Sequence, residues 1–247
     1  LKANYPVEFL AASMALDAGN TEKLAVFRQD CLYKNISVLP PDLNHSESSF
    51  SVQKDAAGAW AIRYALGAVR NVGADAMEKL VSLREEEGAF ASLDDLARRL
   101  PREGANKRQL ENLVKAGAFD GLHKNRRQVF EALEQLVGQS DFYRKEAQSS
   151  RSSLFGAGSV EASPVFRFSE GPDWTQSDSL KLEFEALGLY LSSHPLDSYH
   201  AQLAKLNVTP SNQIAAAMQS QMSARVRLAG KISAVQERVS AKGNSRT

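Results

Sequence analysis

One stretch constrains this chain more than any other: Leu66-Gly67-Ala68-Val69-Arg70-Asn71-Val72-Gly73, running directly into Ala74-Asp75-Ala76-Met77-Glu78-Lys79-Leu80. It reads as a short apolar helix end, a tight turn closed by glycine, and a new helix. A glycine at Gly73 lets the backbone turn sharply and come close to another molecule. The first N–H groups of the new helix have no partner within it and form a ready site for an anion such as phosphate. Two readings follow. One is a helix-hairpin-helix element gripping a nucleic-acid backbone; the other is an ordinary corner between helices. The motif alone does not choose between them.

A second unit of the same kind lies downstream. Asn106 opens a helix holding Leu110, Leu113 and Val114, which ends at Ala116-Gly117-Ala118-Phe119; another helix follows from about Asn125 to Val137. The segment Arg98 to Arg127 around this turn is basic. Arg98, Arg99, Arg102, Lys107, Arg108, Lys115, Lys124, Arg126 and Arg127 stand against Glu103, Glu111 and Asp120, in a chain whose formal net charge is +1. Such an excess is the footprint of phosphate binding, and a solvated helix surface is the alternative. Lys124, Arg126 and Arg127 sit where a helix begins and oppose its dipole, a placement useful for holding an anion. Aromatic platforms are sparse, since Phe119 and Phe130 have core-like spacing, so duplex backbone is a better ligand than a single strand.

The remaining pattern outlines the fold. Pro6 suits the first position of a helix carrying Val7, Phe9, Leu10 and Met14, and Asn20 or Thr21 can cap a second with Leu24, Phe27 and Cys31. Ile36 to Leu39 reads as a short strand, and Phe50–Val52 with Trp60–Tyr64 as a β-hairpin turning at Asp55–Gly58. Ser92 caps a helix with Leu93, Leu96 and Leu100. From Gly138 the composition shifts: between Gln148 and Ser163 there are six serines and two glycines, the composition of a tether. Leu154-Phe155 stands inside it, either as a linear motif for a partner's pocket or as a cover for the chain's own apolar surface. A helix resumes at Leu180, and Val226, Leu228 and Ile232 alternate as a strand.

No catalytic or metal constellation is visible. Glu183 and Glu185 point to opposite sides of a helix; His45, His123, His194 and His200 lack ligand spacing, and Cys31 has no second thiol. No apolar run reaches the ~20 residues of a membrane span. The pattern after Leu1-Lys2-Ala3-Asn4 is amphipathic, so a signal peptide is not expected there, and one cysteine fits a reducing compartment. The chain starts at Leu1 and ends at Thr247 just after what reads as the first strand of a further sheet, so it is expected to be a piece of a longer protein.

The chain resembles the alpha subunits of bacterial DNA polymerase III, the C-family replicative polymerases. The resemblance runs in order through residues 2–9, 17–23 and 38–44, then Gly67–Gly73, Lys115–Asp120, Ser153–Gly156 and Leu187–Leu196. It implies a mainly α fold with small β elements (α+β). Residues 1–64 would end the fingers domain and 65–137 would form a tandem helix-hairpin-helix module on duplex DNA. Residues 138–180 would be a tether with a clamp-binding peptide, 181–222 a helical connector, and 223–247 the truncated start of an OB-fold. DNA-backbone contacts would come from Asn71, Val72, Gly73, Lys79, Lys107, Arg108, Gly117, Lys124, Asn125, Arg126 and Arg127. Arg151, Ser152, Ser153, Leu154 and Phe155 would meet the sliding clamp (beta subunit), and other polymerase III holoenzyme subunits would be partners in a bacterial cytoplasm. The parent would be a DNA-directed DNA polymerase, a nucleotidyltransferase whose catalytic aspartates and Mg²⁺ lie in an upstream palm domain; this piece carries no cofactor and would be inactive alone. Two positions depart from the family pattern. Asn71 stands where glycine is frequent and suits a left-handed backbone best among the other residues. Arg151 stands where the clamp motif has glutamine, and it donates but cannot accept. The alternative function is a clamp-docking interaction module whose hairpins are only structural.

Overall fold

The computed structural model describes residues 2–100, 106–152, 166–209, 213–214 and 226–232. Pro6 is the first residue of α1 (Pro6–Leu16), where its missing N–H costs nothing. Asn20 caps α2 (Thr21–Tyr33) by accepting the Lys23 N–H at 3.1 Å, and Asn35, at φ 56°, turns the chain after it. Three short strands follow, β1 (Val38–Leu39), β2 (Ser51–Lys54) and β3 (Trp60–Arg63). They form one sheet in the order β1-β3-β2, with β2 antiparallel and β1 parallel to β3. The Asp55 carboxylate collects the Ala57 and Ala59 N–H groups in the β2–β3 turn, which fixes the expected hairpin.

Beyond β3 the chain is helical: α3 (Ala74–Glu87), α4 (Leu93–Arg99), α5 (Lys107–Lys115), α6 (Arg126–Glu131), α7 (Leu133–Ser152) and α8 (Gln176–Leu187). Mainly helical architecture with a small sheet is thus what the sequence foretold. Apolar residues from all these parts meet in one core, among them Leu10, Leu24, Ile62, Leu66, Leu80, Leu113, Phe119 and Leu187. The core runs unbroken across residues 64 and 65, and β3 passes through the buried Tyr64 and Ala65 straight into the first glycine turn.

Three expectations change. Residues 138–152 do not start a tether but continue α7. Gly138 costs about 1 kcal/mol there relative to alanine. Packing against α4 offsets it: Ser140 is buried, the Tyr143 hydroxyl donates to Asp94 at 2.8 Å, and Arg98 lies 4.6 Å from the Tyr143 ring centre. Next, α8 and its exit do not belong to a separate connector. Ala186, Leu187, Leu189 and Leu191 are buried in the core, and the chain divides into units Leu1–Ser192 and Ser193–Thr247. In the second unit α9 (His200–Lys205) precedes a short loop in which Thr209 donates to the Arg227 carbonyl at 2.8 Å. Finally, residues 226–232 form no strand. Leu228 and Ile232 are exposed there, and among the described residues no strand pairs with the segment to give it a ladder. The rest of the expected OB-fold start lies outside the described residues.

Candidate nucleic-acid interface

The first hairpin divides its labour among three residues. Gly67 is fixed by packing: its N–H donates to the Ser48 carbonyl at 3.0 Å, and a Cβ on Gly67 would lie 2.7 Å from that oxygen and 3.2 Å from the Ala74 Cα. Asn71 holds the left-handed position at φ 60°. Gly73, expected to supply the turn's conformational freedom, has φ −79° and ψ 136°, extended backbone open to any residue. A Cβ there would meet the Gln109 Nε2 at 3.8 Å, an ordinary contact. Neither conformation nor packing within the chain calls for glycine at position 73. Gly73 is also the N-cap of α3, and no side chain caps the helix; Gly73, Ala74 and Asp75 are exposed. The α3 start therefore offers backbone N–H groups at an exposed surface where, among the described residues, only the Gln109 side chain comes within 4 Å of the Gly73 Cβ position.

Around this opening the charges are mixed. Arg70 turns inward and closes the end of α8, with its N–H on the Ala186 carbonyl at 2.9 Å and its guanidinium on the Glu185 carbonyl at 3.3 Å. Lys79 shares a shallow groove on α3 with Asp75, Glu78 and Glu86.

The second hairpin is built differently. Gly117, at φ 88°, ends α5: the Ala118 N–H reaches the Leu113 carbonyl at 2.9 Å and the Gly117 N–H the Val114 carbonyl at 3.0 Å. Asn125 caps α6 by accepting the Gln128 N–H at 3.0 Å. Arg126 folds back over Gly117, where a Cβ would run into its guanidinium, and holds Asp120 with Nε–Oδ1 at 2.8 Å and Nη2–Oδ2 at 2.5 Å. Burial works against the Arg126 charge, but the hydrogen bond and charge of Asp120 outweigh it and hold the guanidinium above its usual range. Arg127 pairs with Glu131 at 2.8 Å, and its backbone N–H donates to Asp173 at 3.0 Å.

The rest of the basic segment is answered in the same way. Lys107 pairs with Glu134, Lys115 with Glu185, Arg98 with Asp94, and Arg99 with both Glu87 and Asp95. Among the described residues of that segment, Arg108 and Lys124 are exposed and carry no ion pair. Most of these acidic partners sit outside residues 98–127 in sequence and reach the segment through helix packing, so the excess read from the window is largely met in space.

Two features had no place in the sequence reading. The loop over residues 40–47 ties the hairpins together: the Leu43 N–H donates to the Ala118 carbonyl at 2.9 Å, and the buried Arg84 of α3 donates to the Leu43 and Ser46 carbonyls at 3.1 and 2.6 Å. A single arginine among the apolar positions of α3 was the signal for it. The other is the segment 166–174, which lies along α6 and α7. Arg151 and Ser152 end α7; Ser153, Leu154 and Phe155 lie outside the described residues. No cluster of His, Cys, Asp and Glu suited to a metal ion occurs among the described residues, and none of their helices is long and apolar enough to cross a membrane.

Residues 35–129 match the helix-hairpin-helix motif family, a span that takes in the sheet, the 40–47 loop and both hairpins. The fold and this match define the class: a protein with a helix-hairpin-helix motif. Beyond the motif, the chain is 40% identical over 245 residues to DNA polymerase III subunit alpha of Caulobacter vibrioides, covering 98% of this chain and 21% of that protein. The same subunit of Mycobacterium tuberculosis is 36% identical over 255 residues, and that of Neisseria meningitidis serogroup A 35% over 245, each covering 98% of this chain and 20% of the relative. Along nearly its whole length the chain is a counterpart of one stretch of DNA polymerase III alpha subunits, and it spans about a fifth of the length of these curated relatives.

Proposed function

We propose that this chain grips the backbone of duplex DNA for a bacterial replicative DNA polymerase. One observation carries the reading: Gly73 sits bare at the uncapped start of α3 although neither its backbone conformation nor any contact among the described residues requires a glycine there. A phosphate oxygen can approach the α3 N–H groups through the space a side chain would fill, and the helix dipole favours its charge. Asn71 shapes the turn that presents them. Arg108 and Lys124, exposed and without ion pairs among the described residues of the basic segment, supply long-range attraction. Backbone contacts of this kind position a duplex without reading its sequence.

Template-directed nucleotide transfer belongs, in this reading, to residues outside this chain, together with the Mg²⁺ it needs. The segment Arg151–Phe155 docks on the sliding clamp chiefly through Leu154 and Phe155, weakened by arginine at Arg151. Other holoenzyme subunits are partners, and the site of action is the bacterial cytoplasm. The similarity to alpha subunits supports these further steps. The DNA grip is tested by duplex affinity across a salt series: counterion release makes log K fall linearly with log salt, and a salt-independent or absent interaction refutes it. Alanine at Leu154 and Phe155 should abolish association with the clamp ring and leave duplex affinity unchanged.

A further inference from the structure

The segment 166–174 takes donor after donor of the second hairpin. Gln135 exchanges two bonds with the Arg167 backbone, donating to its carbonyl at 2.8 Å and accepting its N–H at 2.9 Å. Gln128 Nε2 donates to the Ser169 carbonyl at 2.9 Å, and Asn125 Nδ2 to the Gly171 carbonyl at 3.3 Å. The Arg127 N–H donates to the Asp173 carboxylate at 3.0 Å. Two ring contacts complete the attachment. Phe168 stacks on His123 with centroids 4.4 Å apart, and Trp174 meets the Phe130 edge at 5.6 Å. Residues 167–173 are nevertheless all exposed. Phe166 and Trp174, half-buried against the core, anchor the two ends; between them the segment is held by polar bonds and the Phe168 ring with little burial, and stretches of that kind open at low cost.

Four of the bonds between this segment and the helices are accepted by its oxygens, one of them a carboxylate, while the Arg167 N–H and the Ser169 hydroxyl donate. A phosphodiester backbone offers acceptors of the same kind, with more charge, to the four helix donors. Lys124, exposed and without an ion pair, adjoins these donors. We propose that residues 166–174 form an intramolecular cover that a nucleic-acid backbone displaces. The first hairpin stands open, whereas the second holds its own chain until DNA takes the place of the cover. This inference rests on the DNA grip proposed above.

Trp174 reports on the cover. Of the two tryptophans in the sequence, Trp60 is exposed on β3, so Trp60→Phe leaves Trp174 as the sole emitter. The full chain carrying this change is titrated with duplex DNA, and backbone hydrogen exchange is followed in parallel. The account predicts a red shift of Trp174 emission and faster exchange across 166–174 as DNA saturates. It also predicts that Asp173→Ala with Phe168→Ala tightens duplex binding about threefold or more and steepens the salt slope by about one phosphate. Binding of DNA with unchanged Trp174 emission and unchanged exchange overturns the cover and leaves the grip intact. Absence of any duplex binding overturns both. Because the exchange measurement uses the unaltered chain as well, it decides even if the double variant does not fold.

Discussion

Gly67 and Ser48 are in contact through backbone alone: the Ser48 carbonyl accepts the Gly67 N–H and occupies the place a Cβ would take, 2.7 Å away. Gly73, six residues on, has no such neighbour. The two glycines of one motif therefore differ in kind. Gly67→Ala should lower stability by about 1–3 kcal/mol, as overpacking against rigid backbone does. Gly73→Ala should stay within about 0.5 kcal/mol of the parent. Chemical denaturation of the two variants reads both values.

Arg126 and Asp120 form a second test. The Arg126 side chain is 16% exposed and Asp120 40%, so the pair is partly screened by solvent. Arg126→Gln should destabilise by about 1 kcal/mol, a charged hydrogen bond discounted for that exposure. Its duplex affinity should fall less than that of Lys124→Glu, whose parent side chain is free to meet a phosphate. Denaturation and DNA titration of both variants check the order.

Much of the local structure was legible in the residues. Pro6 stands at the first position of its helix, Asn20, Ser92 and Asn106 cap theirs, and Asn71 is left-handed as its side-chain type allows. These are contacts within a few residues. What failed was what depends on distant partners. The run from Gly138 looked like linker because its serines and glycine are conspicuous, yet Ser140 and Tyr143 anchor it as helix alongside α4. The basic segment looked unbalanced because Glu87, Glu131, Glu134 and Glu185 come from outside it. Asp173 on the Arg127 N–H, 46 residues apart, had no local signal at all.

The Glu131 contact to the cover should respond to acid only. Glu131 accepts a bond from the Ser169 hydroxyl and then from Arg127, and both hold its carboxyl below the ordinary value of 4.5. A lowered folded value stabilises the contact above the ordinary value, and that contribution is lost as pH falls through the lowered one. Measured in a chain carrying His123→Phe, which keeps a ring on Phe168 and removes the imidazole, Trp174 emission should hold steady from about pH 8 to about pH 5 and shift only in more acid solution. A transition near neutrality in that chain would contradict this assignment.

Cys31 should be silent in the native chain. It is fully buried, and burial pushes its thiol up to about 11. Thiolate is the reactive form, so a disulfide reagent at about pH 8 should label Cys31 only as fast as the chain unfolds. Rapid labelling of the folded chain would show that α2 opens locally.

The central claim is that the bare surface at Gly73 admits a DNA phosphate. Duplex affinity of the full chain carrying Gly73→Glu, measured by anisotropy beside its thermal midpoint, tests it most directly. The account predicts a loss of about tenfold or more, the scale of one displaced charged contact, with the midpoint unchanged. Duplex affinity equal to that of the parent, in a chain equally well folded, would contradict it.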